Sequence, residues 1–401
     1  MKILSVAGVR PNFVKIAPLI SEMRKHPEMH PLLVHTGQHY DDEMSDVFFR
    51  ELEIPCPDYH LGASPGGDRI HFNEVMRRLQ RVMLKERPDV VLVVGDVDST
   101  LAGALAANGL GIPVAHVEAG LRSFDRRMPE EINRVITDGI SNLLFVSEPS
   151  GVENLLHEGR PPESIYLVGN VMIDTLKRAQ GRIRDLALPR LESRFAPQVL
   201  PNRYAVLTLH RQGLVDDPAL FGNILTALQR IARAVPVIFP LHPRTQRRLR
   251  GMGIEVPPNN DHQGAGIRMI PPLGYLEFLG LVKRAALVMT DSGGVQEETT
   301  ALGVPCLTLR ENTERPITVR EGTNTVTGLD PENICREVWR VLSGDIKHAR
   351  VPDLWDGRAA ERIVRLLLRH FEPRMEMTGV RPEVPMTLCK RFAVVIKEGQ
   401  D

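Results

Sequence analysis

The chain has 401 residues, with 50 Lys+Arg against 50 Asp+Glu, so its formal net charge is zero. That excludes a general polyanion binder, which needs a basic excess. A composition of 42% hydrophobic and 25% charged residues excludes a mainly disordered chain. At roughly 150 residues per domain the length predicts two or three domains. No apolar run approaches the roughly 20 residues that span a bilayer, and the first ten residues read as a strand rather than a signal peptide. The four cysteines, Cys56, Cys306, Cys335 and Cys389, form no CxxC pair, so neither a zinc site nor a disulfide framework is indicated. The expectation is a cytoplasmic protein with reduced thiols and no nucleic-acid or membrane partner.

Strand and helix patterns alternate along the chain. Lys2 to Ala7 is a short apolar run, and Phe13, Ile16, Ala17, Leu19, Ile20 and Met23 then recur at helical spacing. Pro31 to His35 is a second strand candidate, and Asp89 to Val94 is a continuous β-branched run of the kind found in buried parallel strands. Pro113 to Val117, Leu143 to Val146 and Ile165 to Val168 follow. The pattern breaks between Gln180 and Asn202. It resumes with strands predicted at Tyr204 to Thr208, Val235 to Leu241, Ile267 to Ile270, Ala286 to Thr290 and Pro305 to Leu309. This predicts an α/β protein of two halves, residues 1–180 and 200–352, then a closing helix within 353–372 and a peripheral tail over 373–401.

In such sheets ligands bind beyond the carboxyl ends of the strands, so the residues just after each strand deserve inspection. After the first come Gly8, Arg10, Asn12 and Lys15. Asn12 is placed to cap the helix. Arg10 and Lys15 are either solvated surface charges or an anion site at a helix start. No GxGxxG follows this strand, so the dinucleotide fingerprint is absent. Gly95-Asp96-Val97-Asp98-Ser99 follows the buried run. Asp98 or Ser99 suits a helix cap, and Asp96 comes too early for one. Glu118 is expected just past the next strand. Glu130 and Glu131 open a helix, where acidic residues suit the dipole, and Glu130 with Arg134 at i,i+4 could be a plain ion pair. Asp96, Glu118 and Glu130 could converge on one crevice and suit proton transfer at carbon. In the second half His210 and His242 each end a strand, and neither alone distinguishes a structural role from proton exchange. Thr290-Asp291-Ser292-Gly293-Gly294 joins a strand to a helix through two glycines. Such a turn bares backbone N–H groups to a phosphate, and Glu298 lies one turn further on, within reach of ribose hydroxyls. Arg315 is a further anion partner.

Taken together the chain resembles the non-hydrolysing bacterial UDP-N-acetylglucosamine 2-epimerases. The matching segments are GVRPNFVKIAPL (8–19), TGQHYDDEM (36–44), VGDVDST (94–100), HVEAGLRSFDRRMPEEINR (116–134), VGNVMIDTL (168–176), TLHR (208–211), TDSGGVQEE (290–298) and NTERP (312–316). The resemblance implies two Rossmann-like α/β/α domains facing across a cleft, the glycosyltransferase-B arrangement, with UDP held mainly by the second. It places Arg10, Ser292, Gly293 and Gly294 at the diphosphate and Glu298 at the ribose. Lys15, Asp96, Glu118, Glu130, Arg134, His210 and Arg315 then surround the sugar and its leaving group. It implies a UDP-sugar substrate, no NAD, no essential metal and a homodimer. The implied chemistry is elimination of UDP to 2-acetamidoglucal and re-addition, with Asp96, Glu118 and Glu130 as the acid–base set and His210 and Arg315 at the departing diphosphate. The sequence departs from the family at GVRPN, where GTRPE is frequent, at Tyr40-Asp41, and at Gly213-Leu214, where a glutamate and an asparagine or serine often follow the His-Arg pair. These departures leave room for a relative acting on another UDP sugar, such as a 2,3-diacetamido glucuronic acid derivative. The competing readings are a hydrolysing epimerase, whose residue set is nearly the same, and a non-catalytic nucleotide-sugar sensor, against which Asp96, Glu118, Glu130 and His210 are all present.

Overall fold

The computed structural model describes residues 1–37, 49–62, 72–184, 189–191, 203–211, 214, 216–241, 243–253 and 266–377. Strands β1 (Lys2–Ala7), β2 (His30–His35), β3 (Tyr59–His60), β4 (Val90–Val94), β5 (Val114–Ala119), β6 (Leu143–Val146) and β7 (Ile165–Leu167) form one parallel sheet in the order β3-β2-β1-β4-β5-β6-β7. Its helices are α1 (Arg10–Met23), α2 (Phe72–Glu86), α3 (Asp98–Gly109), α4 (Pro129–Ile140), α5 (Pro149–His157) and α6 (Val171–Arg182). A second parallel sheet follows in the order β10-β9-β8-β11-β12-β13. Its strands are β8 (Ala205–Thr208), β9 (Val237–Pro240), β10 (Ile267–Ile270), β11 (Leu287–Thr290), β12 (Cys306–Thr308) and β13 (Asn324–Val326). Its helices are α7 (Pro218–Ile231), α8 (Pro243–Gly251), α9 (Tyr275–Lys283), α10 (Gly293–Leu302), α11 (Pro316–Arg320) and α12 (Pro331–Leu342), and α13 (Ala359–Met377) comes last.

These are two Rossmann-like α/β layers, as the sequence predicts. Every residue of β4 is fully buried because helices cover both faces of the sheet, which is why this strand reads as an unbroken run of valine and leucine. Burying one such side chain contributes roughly 1.5–3 kcal/mol against its lost conformational freedom. Both sheets reverse direction once, between β1 and β4 in the first and between β8 and β11 in the second. Those reversals open a crevice beyond the strand ends. One apolar cluster is shared by both halves: Val14, Met172, Ile173 and Leu176 pack with Tyr275, Leu276, Leu279, Ile317 and Trp355.

Met1–Val364 form one compact unit; Arg365–Asp401 form a second, in which residues to Met377 continue α13. The last helix therefore runs further than expected, and the tail beyond it lies outside the described residues, as does most of the break between 180 and 202. No described helix is long and apolar enough to cross a membrane.

Several local expectations are corrected. The strands β3 and β13 carry too few apolar residues to show a pattern, and were not anticipated. The cap of α3 is Val97, with Asp98 and Ser99 inside the first turn. The cap of α1 is Val9. Asn12 lies inside the helix and turns back: its Oδ1 accepts from the N–H groups of Gly8 (3.1 Å) and Val9 (3.2 Å), and its Nδ2 donates to the Val94 carbonyl (2.9 Å). Asn12 thus ties the end of β1 to the end of β4, across the first reversal.

Candidate active site

At the first reversal, β4 runs into Gly95, whose φ of +70° suits glycine and turns the chain sharply toward Asp96. A Cβ on Gly95 would stand 2.9 Å from Lys15 Nζ, so the lysine occupies the space that a side chain would need. The Asp96 carboxylate accepts a hydrogen bond from Arg134, which is fully enclosed. Asn133 holds the backbone beside it, donating to the Asp96 carbonyl (3.0 Å) and to Asp98 Oδ1 (3.1 Å). Burial alone would push the Asp96 carboxyl up. The charges of Arg134, Lys15 and Arg315 outweigh it and hold the group below the usual carboxylate range.

Glu118 lies within β5 rather than after it, at a break in register between β5 and β6. Its φ of +74° is unusual for a residue with a side chain, and the bulge turns its carboxylate toward the site. One Glu118 oxygen meets Lys15 and the other Arg315, so a residue of each half closes on it. All of these side chains are buried.

The anticipated Glu130–Arg134 pair does not form. Arg134 pairs with Asp96 and Glu131. Glu131 accepts from the Ser123 N–H and hydroxyl and from the Phe124 N–H, each at 2.9 Å, so its work is to fold the loop before α4. Glu130 is half-buried, and its charge acts on His210 of the second half.

At the second reversal Asp291, wholly buried, accepts from the N–H groups of His210 and Arg211, both at 2.8 Å. His210 Nδ1 stands 3.1 Å from the same carboxylate. Burial works against the imidazolium, but Asp291 overcomes it and raises the His210 pKa above its ordinary value, with Glu130 adding to the effect. Across from it α10 begins at Gly293-Gly294, capped by Ser292. A Cβ on Gly293 would come within 2.7 Å of Glu314 Oε1 and 3.3 Å of Arg315 Cζ. Glycine there lets both groups approach the positive end of the helix. Gly294 packs against Met172.

Arg211, Arg310 and Arg315 all face Glu314, at 3.0, 2.7 and 3.4 Å. Despite its burial they keep the Glu314 carboxyl well below its usual range. Arg315 Nε also donates to Glu297 (2.8 Å). Burial pushes Glu297 up to about 7, Arg315 notwithstanding. Burial pushes Glu298 up to about 8, with the Tyr275 hydroxyl opposing the rise. Arg10, at the start of α1, is half-buried.

A family model described as UDP-N-acetylglucosamine 2-epimerase matches residues 21–368. The chain belongs to this family. A UDP-N-acetylglucosamine 2-epimerase of Methanococcus maripaludis is 41% identical over 378 residues, covering 93% of this chain and 100% of the relative. A UDP-2,3-diacetamido-2,3-dideoxy-D-glucuronate 2-epimerase of Pseudomonas aeruginosa is also 41% identical, over 332 residues, covering 82% of this chain and 88% of that protein. The crystal structure of the Methanocaldococcus jannaschii UDP-GlcNAc 2-epimerase in complex with UDP-GlcNAc and UDP superposes with a TM-score of 0.83 at 40% identity, covering 92% of this chain and 100% of that one. This family member is accordingly an isomerase with the fold of those epimerases.

Lys15, Asp96, Glu118, Arg134 and Arg315 form one charged network, with His210 and Glu130 in mutual electrostatic reach beside it. Sequence reasoning assigned no role to Asp291, Glu314 or Arg211, although each lies in a quoted segment or next to a chosen residue. It also passed over Arg310 and Glu297. The signal was available in the clustering of charge after β8, β11 and β12. Leu214, one of the departures after the His-Arg pair, is buried in the core of the second sheet, so that position serves packing here. Gly213, Tyr40, Asp41 and His242 lie outside the described residues.

Proposed function

We propose that this epimerase interconverts UDP-N-acetylglucosamine and UDP-N-acetylmannosamine by anti elimination and re-addition of UDP. The observation that carries the reading is the opposite chemistry of the two reversals, joined through Glu118 and Arg315. Carboxylates end the first sheet; arginines and a helix N-terminus end the second. In the forward step a base takes the proton from sugar carbon 2. The C–H electron pair becomes the carbon 1–carbon 2 double bond, and the carbon 1–oxygen bond breaks with its electrons leaving on UDP. In the return step a diphosphate oxygen attacks carbon 1 and carbon 2 takes a proton on its other face.

Two faces need two proton-transfer groups, which we assign among Asp96, Glu118 and Glu130. Asp96, held ionised, is ready to accept a proton. His210 and Arg315 neutralise the departing diphosphate. Arg10, Ser292, Gly293 and Gly294 bind that diphosphate, Glu298 binds the ribose, and Lys15 and Arg134 orient the sugar and the carboxylates. No step calls for NAD or a metal. The division into residues 1–180 and 200–352 follows the same logic, one half for proton transfer and one for UDP.

The reading includes a homodimer in the cytoplasm. Ile132, Val135 and Ile136 lie exposed on one face of α4 and suit contact with a second copy. The described cysteines, Cys56, Cys306 and Cys335, are free thiols, as a reducing compartment maintains. Size-exclusion chromatography with light scattering tests the dimer, and a monomer at micromolar concentration refutes it.

Proton NMR with UDP-GlcNAc in D2O tests the activity. UDP-ManNAc carrying deuterium at carbon 2 is the expected product. Free ManNAc with UDP would identify a hydrolysing enzyme. The equally similar Pseudomonas relative favours one second reading, a UDP-diacetamido uronate as substrate. Turnover of that sugar with UDP-GlcNAc left untouched would establish it. Binding of UDP with neither sugar converted would point to a sensor.

A further inference from the structure

His116 takes no part in the chemistry above, yet both nitrogens of its ring are held. It sits on β5, two residues before Glu118, with its ring wholly buried. Nε2 is 2.8 Å from the Gly95 carbonyl, and Nδ1 is 2.7 Å from Asp138 Oδ1 on α4. The other oxygen of Asp138 accepts from the Gly120 N–H (3.0 Å) and pairs with Arg122 (2.7 Å). Arg122 is in turn met by Glu158 at 2.6 Å. Burial alone would neutralise Asp138, but the Arg122 guanidinium and the Gly120 N–H, both on its Oδ2, favour the ionised form independently of the His116 ring.

A carbonyl oxygen can only accept, so Nε2 must carry a proton. An ionised carboxylate can only accept, so Nδ1 must carry one as well. We propose that His116 is a fixed imidazolium that positions both carboxylate-bearing segments of the site. Its one ring edge grips Gly95, the residue that turns the chain into Asp96. Its other edge, through Asp138, grips Gly120, two residues beyond Glu118. One buried ion pair therefore spans the Gly95–Asp96 turn and the Glu118 bulge and sets their separation. A neutral ring satisfies only one of its two acceptors as a donor, and the strut loosens at the other. An error of about 1 Å in a reacting group can cost on the order of 100-fold in rate, so the spacing of Asp96 and Glu118 must be held tightly. His116 is a positioning residue: it touches no reacting atom.

The assignment of these segments to catalysis rests on the proposed epimerisation; the state of the ring does not. The test is two-bond 1H–15N NMR of the [15N]histidine-labelled full chain at pH 7.5. The His116 signal is identified by its loss in His116→Gln or its displacement in Asp138→Asn. Protons on both ring nitrogens are expected in the unmodified protein, and a bare nitrogen overturns the proposal. In the same variants kcat should fall roughly 10–100-fold while KM and UDP affinity stay within about threefold. A folded His116→Gln enzyme with kcat within twofold of the original overturns the positioning role. If that variant does not fold, the spectrum of the unmodified protein and the kinetics of Asp138→Asn decide. If the unmodified protein converts no UDP sugar, the ring state is still measured, so failure of the epimerase reading is told apart from failure of this one.

Discussion

The two sheets reverse at equivalent places and present different chemistry there. After β1 and β4 stand Lys15 and Asp96, with Glu118 turned in from β5. After β8 and β11 stand His210, Arg211 and the start of α10, with Arg310 and Arg315 following β12. In the first half the cations compensate the carboxylates. In the second the carboxylates Asp291 and Glu314 compensate and orient the cations. One backbone plan thus carries a carboxylate cluster at one reversal and a cation cluster at the other, because the plan fixes only where side chains emerge. The two reversals therefore differ in which sign of charge is the compensating partner: cations around Asp96 and Glu118 in the first, carboxylates around His210 and the arginines in the second.

The sharpest way to break this comparison is Asp96→Asn. We expect kcat to fall by about 10²–10⁴-fold, the usual worth of a general base, while UDP binds as before by calorimetry. Equal losses in kcat and in UDP affinity would mean that the halves do not divide their labour.

Next in size is Arg315→Ala, which removes the residue that joins them. Glu118 and Glu297 lose their shared cation inside the protein, and breaking a buried pair costs about 3–5 kcal/mol. A fall in Tm by calorimetry, together with weaker UDP binding, is the expected outcome. An unchanged Tm would show that Glu118 is already satisfied by Lys15.

A subtler probe acts on His210. Its folded pKa is raised, so the stability it contributes is fully present below about 6.5, its ordinary value, and is lost as pH rises through the folded value. If the imidazolium assists departure of the diphosphate, kcat/KM falls on the same alkaline limb. Asp291→Asn should move that limb to lower pH, and an unmoved limb would assign it to another group.

The last probe reads stability alone, at Glu298, pushed by burial to about 8. Its folded form holds a proton that the unfolded form releases above about 4.5, so wild-type stability falls between those values, with a slope approaching about 1.4 kcal/mol per pH unit. Glu298→Gln should flatten that slope in denaturant titrations run across this range. Parallel slopes in the two proteins would refute the burial argument.

Much of this was readable before any fold was known. The β4 valines, the glycine pair at 293–294, and the placing of Asp96, Arg315 and His210 near strand ends follow from local pattern and turn chemistry. The roles of Asn12, Glu131 and Arg134 did not. Each has a local reading, as a helix cap, a first-turn acid or an i,i+4 partner; Asn12 and Arg134 also bond to sequence-distant Val94 and Asp96, and Glu131 ties down the Ser123–Phe124 loop that precedes its helix. Edge strands as short as Tyr59–His60 carry no period at all.

The sequence by itself determined the parallel α/β class, the two halves and the strand ends at which charge collects, because burial on both faces and helical spacing leave their marks along the chain. Tertiary structure alone decided which charges meet. Glu118 reaches Arg315 across 197 positions of sequence, and it does so because a bulge with positive φ turns it there. Pairing of buried charges depends on distances of a few ångströms between segments that only the packed sheets bring together.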